Sequence, residues 1–457
     1  MTHADLAPPP LRAARRGASE RLSPLVPLYL FCVVVPVFFE LGPLYVSTLR
    51  LLLCLLVLPL GARLLLGHFG QLRATDILFF LSFLWSVLAL AVTDPGRTIE
   101  QAGSTGAEFL GGYLLARAYI RSRAHFIAFC RQLCGAVLLL LPFALYEAVT
   151  GLPPLVHAIE ALPGLQSVPD LDLPSRLGMN RVQNTFAHPI HYGLFCALAF
   201  SLTFVALKGE IPGIARWLAC AGIALGCGLT LSSGAILALV LQIGLIAWAV
   251  ALRRVRWRWW LLAALCVAAY VTVDVLSTRR PLQVFMSYAT LNAQTAFWRV
   301  VIFEHAWANV LAQPVFGAGF QDWARPDWVV SDSIDNFWLT TALRYGLPGA
   351  LLLALGYGHG LFRIMLRDLG GRRDLEQARL AWILSFAGLT FTLCTVHIWG
   401  HVYSLVFFTF AAGLWLLDEE DAPDGPARRQ RRTTTYARKL EGPRHRRPPD
   451  ATGPTRP

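Results

Sequence analysis

The residues that could do chemistry fall in a few places along an otherwise apolar chain. Between Ala296 and Leu311, the apolar Phe297, Val300, Val301, Trp307 and Leu311 recur at helical spacing, while Arg299, His305 and Asn309 fall elsewhere on the wheel. A guanidinium on such a helix either snorkels at a membrane surface or offers its two-pronged donor to an anion in the headgroup layer. His188 and His191 stand at i and i+3, so one helix face can present both. With no third or fourth ligand in the pattern, packing or hydrogen bonding accounts for this pair better than a metal does. Asp335 and Asn336 open an apolar run, and both residue types are favoured helix N-caps. Glu147, Arg50 and Arg344 are ionisable groups inside apolar runs, a costly placement that points to function by default. Glu147 and Arg50 lie near run ends, where snorkelling serves equally well; Arg344 is about two turns in and can face a site. No Gly-x-x-x-x-Gly-Lys loop occurs, which argues against a nucleotide-driven enzyme.

The elements that must position these residues are set by composition. Of 457 residues, 55% are hydrophobic and only 15% charged, well below the ~25% charged content of soluble domains. Apolar runs long enough to cross a hydrocarbon core recur about twelve times. They are Leu25 to Phe39, Leu44 to Leu66, Thr75 to Val92, Ser104 to Ile120, Phe126 to Val149, Thr185 to Leu207 and Gly213 to Leu231. Gly234 to Leu252, Trp259 to Leu276, Phe337 to Phe362, Ala378 to Val396 and Trp399 to Leu417 complete the set. Short segments of alternating hydrophobicity, the mark of a membrane barrel, are absent, so the expected fold is an all-α, polytopic integral membrane protein.

Arginines fall in alternate connections: Arg12, Arg15, Arg16 and Arg21; Arg63 and Arg73; Arg117, Arg121 and Arg123; Lys208 and Arg216; Arg253 to Arg258; Arg363 to Arg373. Because Lys and Arg in short loops stay in the cytoplasm, both termini are expected there. The net charge of +12 then reflects topology and contact with anionic membrane lipids, with no nucleic-acid partner implied. Residues 1–24 read as a cytoplasmic segment without a cleavage site, 25–417 as the transmembrane domain, and 418–457, rich in Pro, Arg and Thr, as a disordered basic tail. Two connections on the opposite side, 151–184 and 277–336, are too long to be simple turns and are expected to form a periplasmic region. The nine cysteines lie mostly inside spans and read as small buried hydrophobes.

Four stretches carry a family resemblance: Arg-Val-Gln-Asn-Thr-Phe-Ala-His-Pro-Ile-His-Tyr-Gly (181–193), Leu-Thr-Leu-Ser-Ser-Gly-Ala (229–235), Pro-Val-Phe-Gly-Ala-Gly-Phe (314–320) and Asp-Asn-Phe-Trp-Leu-Thr-Thr-Ala-Leu-Arg-Tyr-Gly-Leu-Pro-Gly (335–349). In this order, with a large loop ahead of the fourth, they resemble the O-antigen ligase and polymerase superfamily. The resemblance implies a metal-independent, cofactor-free membrane glycosyltransferase of surface polysaccharide assembly in the bacterial inner membrane. Its donor would be a glycan on an undecaprenyl-diphosphate carrier, and its acceptor lipid A core or a growing glycan.

Cleaving a sugar–diphosphate bond without a metal calls for fixed cations at the leaving phosphate, and Arg181 and Arg299 align with the family's arginines. A salt bridge from Arg181 to Asp170 or Asp172 is the structural alternative. The sugar hydroxyl needs a base. The family usually has His before the Asn at the start of this span, where the chain has Asp335, so Asp335 is the candidate base and Asn336, with His188, His305 and Arg344, a candidate substrate contact. The family also tends to carry an Arg where this chain has Ser232, Ser233 and Gly234, which removes one expected phosphate contact. Two other readings stay open: a transporter or flippase for a lipid-linked sugar, against which stands the lack of an internal repeat, and a non-catalytic partner in a polysaccharide machine.

Overall fold

A computed structural model of the chain describes residues 21–42, 44–171, 173–277, 293–329 and 333–418. Arg12, Arg15, Arg16, Asp172 and the tail beyond Asp418 lie outside the described residues, as does much of 277–292. Among the described residues, eight helices are long and apolar enough to cross a membrane, from Thr48–Leu65 to Gly400–Leu417. The chain is a mostly helical, multi-pass membrane protein. Eight of the twelve expected spans correspond to these helices, and the other four differ from them in length or composition. Leu25–Val34 and Gly213–Leu229 are short. The run at 104–120 is divided into Thr98–Gly106, a π-helical turn Ala107–Gly111, and Gly112–Tyr119. Arg373–Leu393 carries Asp374 and Glu376 in its first turn, which lowers its apolarity.

The all-α expectation also needs one correction. The first helix stops at Val34, ahead of Pro36, whose ring cannot continue it. Phe38–Leu41 then pairs antiparallel with Leu44–Ser47, so the backbone groups of this apolar stretch are satisfied in a hairpin rather than a helix. Ser47 closes the hairpin and caps the next helix by accepting the Arg50 amide at 3.1 Å. On its open side the hairpin binds the first long connection: Phe38 and Gln166 exchange backbone hydrogen bonds of 2.8 and 2.9 Å.

The connections sort into two ends. At the basic end, Arg117 is 2% exposed and bridges Asp76 at 3.3 Å and Asp418 at 2.9 Å. Arg123 pairs with Glu210 at 2.7 Å and Asp374 at 3.5 Å, and Arg121 donates to the His68 carbonyl. The opposite end, the loop end, gathers the hairpin, the described parts of both long connections and the starts of the helices Pro189–Ser201, Ser233–Ala251, Phe337–Leu366 and Gly400–Ala411. Between the ends lies an aromatic core in which Phe79 meets Phe109, Tyr113, Phe407 and Phe410 edge-on or tilted, at centroid distances of 5.2–5.5 Å. The helix Arg258–Leu276 buries none of its side chains against the rest of the chain.

Candidate functional site

The site at the loop end is assembled around a rigid first connection. Glu147, on the last turns of its helix, receives the backbone amides of Gln183 at 2.7 Å and Asn184 at 2.8 Å. Asn184 adopts a left-handed conformation (φ 55°) and its side-chain amide donates to the Leu140 carbonyl at 2.9 Å. Gln183 ties down the preceding loop, accepting from the Leu171 amide and donating to the Pro169 carbonyl. Glu147 is thus occupied in holding the backbone next to Arg181, a structural task that its position near a run end did not reveal. Just beyond, the His188 Nδ1 accepts the Ile190 amide at 3.1 Å and caps the helix that begins at Pro189. Gly193, one turn in, packs where a Cβ would collide with Ala235 and Thr230, so the 181–193 stretch is pressed onto the break at 229–235.

At that break, Leu231 turns left-handed (φ 47°) and its carbonyl accepts from Arg176 Nη1 at 2.9 Å. Arg176 belongs to the first connection and carries no motif, so nothing in the sequence marked it. A guanidinium thus stands at the turn next to Ser232, Ser233 and Gly234, where the sequence resemblance led to the expectation of an Arg.

Arg181 and Arg299 both lie near Arg176. The Nε of each is buried without a hydrogen-bond partner. Burial pushes the Arg181 guanidinium down to about 10, with Arg176 adding to the drop. Burial lowers Arg299 as well, Arg176 working in the same direction and the Asp335 carboxylate against it. The salt bridge from Arg181 to Asp170 does not form: Asp170 pairs with His157 at 3.3 Å instead. Partly buried cations cost solvation energy; Asp335 offsets part of that cost at Arg299, and an anionic ligand would offset more at both arginines.

Asp335 and Asn336 separate in role. Asn336 is the N-cap of Phe337–Leu366, its Oδ1 accepting the Leu339 amide at 3.0 Å. The Asp335 carboxylate is not spent on the cap; it accepts from the Ser333 hydroxyl at 3.3 Å.

The 314–320 stretch acts as a clasp on this same helix. Gly346 (φ 74°) breaks Phe337–Leu366 ahead of Pro348, freeing carbonyls that the loop then claims. Ala318 donates to the Leu343 carbonyl at 2.7 Å, Gly319 to Arg344 at 3.1 Å, and Leu347 donates back to Pro314 at 2.8 Å. A Cβ on Gly346 would collide with the Val315 carbonyl. The clasp brings Phe320 under the Arg344 guanidinium, 4.7 Å from its ring centre. Arg344 lines a cavity of about 140 Å³ with Arg50, Tyr345 and His397, rather than the Arg181–Arg299 cluster. His305 meets the edge of Trp328, with ring centres 6.1 Å apart. Among the described residues no group of three or more His, Cys, Asp or Glu is arranged to hold a metal.

Residues 218–354 match the family model described as O-antigen ligase, the Wzy_C domain. The matched stretch covers less than half of the chain and contains the break at 229–235, Arg299, the clasp, Asp335 and Arg344, but neither Arg181 nor His188. It supports placement in the O-antigen ligase superfamily and a membrane glycosyltransferase-like role. No curated protein matches the chain.

Proposed function

We propose that the chain transfers a glycan from an undecaprenyl-diphosphate carrier to a sugar hydroxyl at the periplasmic face of the bacterial inner membrane. The observation that supports this reading is the pair of partly buried guanidinium groups, Arg181 and Arg299, whose Nε atoms lack hydrogen-bond partners; both feel the charge of Arg176, and Arg299 also feels the Asp335 carboxylate. In the transfer, the acceptor oxygen forms a bond to the anomeric carbon as the bond from that carbon to the diphosphate oxygen breaks. Asp335 takes the acceptor proton, and the electron pair leaves on the diphosphate, where the arginines stabilise the growing charge. No metal is required, because the fixed cations supply the electrostatic role. In this reading the basic end faces the cytoplasm and the loop end faces outward, which the arginine asymmetry of the sequence supports. His188, beside Arg176 and Arg181, is a substrate contact in this scheme. The reading is tested by supplying purified protein with a lipid-linked glycan donor and acceptor in the presence of a chelator. Transfer that continues supports it, and transfer restored only by magnesium or manganese overturns the metal-independent mechanism.

A further inference from the structure

The 314–320 clasp sits deeper than a surface loop. Ala74–Thr93 has the length and apolarity of a membrane span, and Thr93 is its loop-end terminus. Gln321 marks that level, its Nε2 donating to the Thr93 carbonyl at 3.3 Å. Phe316 lies lower: its ring stacks on Trp85, with centres 5.7 Å apart and planes inclined by 7°. Trp85 is eight residues inside the span, so this contact lies roughly 12 Å below Thr93 at the helical rise of ~1.5 Å per residue. Trp85 also donates to the Tyr345 carbonyl at 3.0 Å, on the helix that the clasp grips. On the other arm, Asn309 exchanges hydrogen bonds of 2.8 and 2.9 Å with the backbone of Ala324, just past Gln321. The chain thus leaves the level of the span's end after Asn309, turns beside Trp85 and returns at Gln321. Irregular backbone survives at such depth only where the protein satisfies it, and the carbonyls of Leu343 and Arg344 do so here.

The helix Ala293–Ala312, which leads into this dip, has two apolar sides. Ile302, Ala306 and Val310 are buried in a cluster with Leu339, Ala342 and Leu343, and Arg299 falls on their side at the same helical spacing. On the outward side Phe303, Trp307, Leu311 and Val315 recur every fourth residue and are between 40% and 57% exposed. Phe303 and Trp307 stack in parallel, with ring centres 6.4 Å apart. Glu304 is exposed beside them at the upper end, and from there to Asp322 the sequence has no Asp, Glu, Lys or Arg. Such a stripe is costly against water and is at home against acyl chains. Its lower half, Leu311 and Val315, belongs to the descending arm, while Trp307 lies higher, where tryptophan gathers at membrane–water interfaces.

We propose that residues 303–316 form a lipid-docking surface that dips into the leaflet at the loop end. Leu311 and Val315 lie against acyl chains, and Phe303 and Trp307 lie at headgroup level. Arg299 is turned toward the protein, so aromatic and aliphatic side chains anchor the helix rather than a snorkelling cation. Docking of this kind needs no glycan transfer and would persist in a protein that transfers nothing.

The test uses the unmodified full chain in nanodiscs of phosphatidylethanolamine and phosphatidylglycerol doped with photoactivatable phospholipids. The diazirine is carried either at the acyl terminus or next to the glycerol, and adducts are mapped by peptide mass spectrometry. The acyl-terminal probe should label Leu311 and Val315 about as strongly as the unburied helix Arg258–Leu276, and about tenfold or more above the exposed Asp327, since that probe stays within the hydrocarbon core. The glycerol-proximal probe should favour Phe303 and Trp307. Labelling of 303–316 no stronger than that of Asp327 with both probes would overturn the proposal. Labelling of Leu311 and Val315 by the glycerol-proximal probe alone would overturn the dip. A second copy of the chain covering the stripe would leave it without lipid adducts and counts equally against lipid docking.

Discussion

Arg176 Nη1 donates to the Leu231 carbonyl at 2.9 Å, joining the first long connection to the break between the helices Gly213–Leu229 and Ser233–Ala251. The bond does two things at once. It satisfies a carbonyl that the left-handed turn at Leu231 exposes, and it fixes a cation beside Arg181 and Arg299. Arg176→Ala is therefore expected to slow transfer by roughly tenfold or more, as loss of a preorganised donor does. Arg176→Lys should recover part of it, keeping the charge while losing the planar fork. Turnover of purified variants with a lipid-linked donor checks this, and an unchanged rate in Arg176→Ala would remove it from the site.

Glu147 offers a purely structural counterpart. Its carboxylate holds the amides of Gln183 and Asn184, both buried. Glu147→Ala leaves two buried donors without partners and should cost roughly 2–5 kcal/mol of stability. Glu147→Gln keeps one acceptor and should lose less. Denaturation midpoints of the two variants should rank in that order.

The apolar runs made the membrane helices legible, because a span must satisfy its backbone internally and so declares itself by length and composition. The hairpin was hidden by the same rule, since its two strands, Phe38–Leu41 and Leu44–Ser47, fall largely within the ends of the apolar runs Leu25 to Phe39 and Leu44 to Leu66. At the site, Arg181, Arg299 and Asp335 were legible through the family resemblance, and Arg299 also through the amphipathic pattern around it. Arg176 was not, because its role depends on a contact with Leu231 that only the folded chain creates. The division between Asn336 as cap and Asp335 as a carboxylate left off the cap was equally hidden, since either residue type caps well and the choice is made by backbone geometry.

The His188 cap sets a pH dependence. Burial, with Arg181 and Arg176 beside it, pushes this imidazole from 6.5 down to about 4. Between those values the unfolded chain binds a proton that the folded chain refuses, so stability rises with pH through this window and levels off above it. Acidification from pH 6.5 to 4 should lower the melting temperature, and His188→Asn, which keeps a capping acceptor without a titrating ring, should flatten that slope. An equal slope in both proteins would assign the acid sensitivity elsewhere.

Gly346 carries the clasp on the helix Phe337–Leu366. A side chain there meets both an unfavourable φ of 74° and the Val315 carbonyl. Gly346→Ala should therefore destabilise the protein, by more than the ~0.4–1 kcal/mol that a compatible Gly-to-Ala change adds to stability, and should shift the 314–320 loop away from Arg344. Protease susceptibility of that loop is the measurement, and protection equal to the parent protein would show that the clasp yields without opening.

The sharpest test separates charge from cap at the start of the same helix. Asn336 already accepts the Leu339 amide, so Asn336→Ala should lower stability by about 1 kcal/mol, the ordinary cost of a lost N-cap. Asp335 makes no such bond. Asp335→Asn keeps its size and its ability to accept from Ser333 but removes the base, so folding should be unchanged while transfer falls by at least about a hundredfold. Arg181→Ala and Arg299→Ala should each reduce turnover by a similar factor, with partial recovery in the Lys variants, because they act on the departing diphosphate rather than the acceptor. The two roles also differ in the donor. A donor with a better leaving group needs less stabilisation of its departing charge, so it should rescue the arginine variants more than Asp335→Asn. Full activity in Asp335→Asn would end the base assignment, and full activity in both arginine variants would leave the proposed reaction without a site.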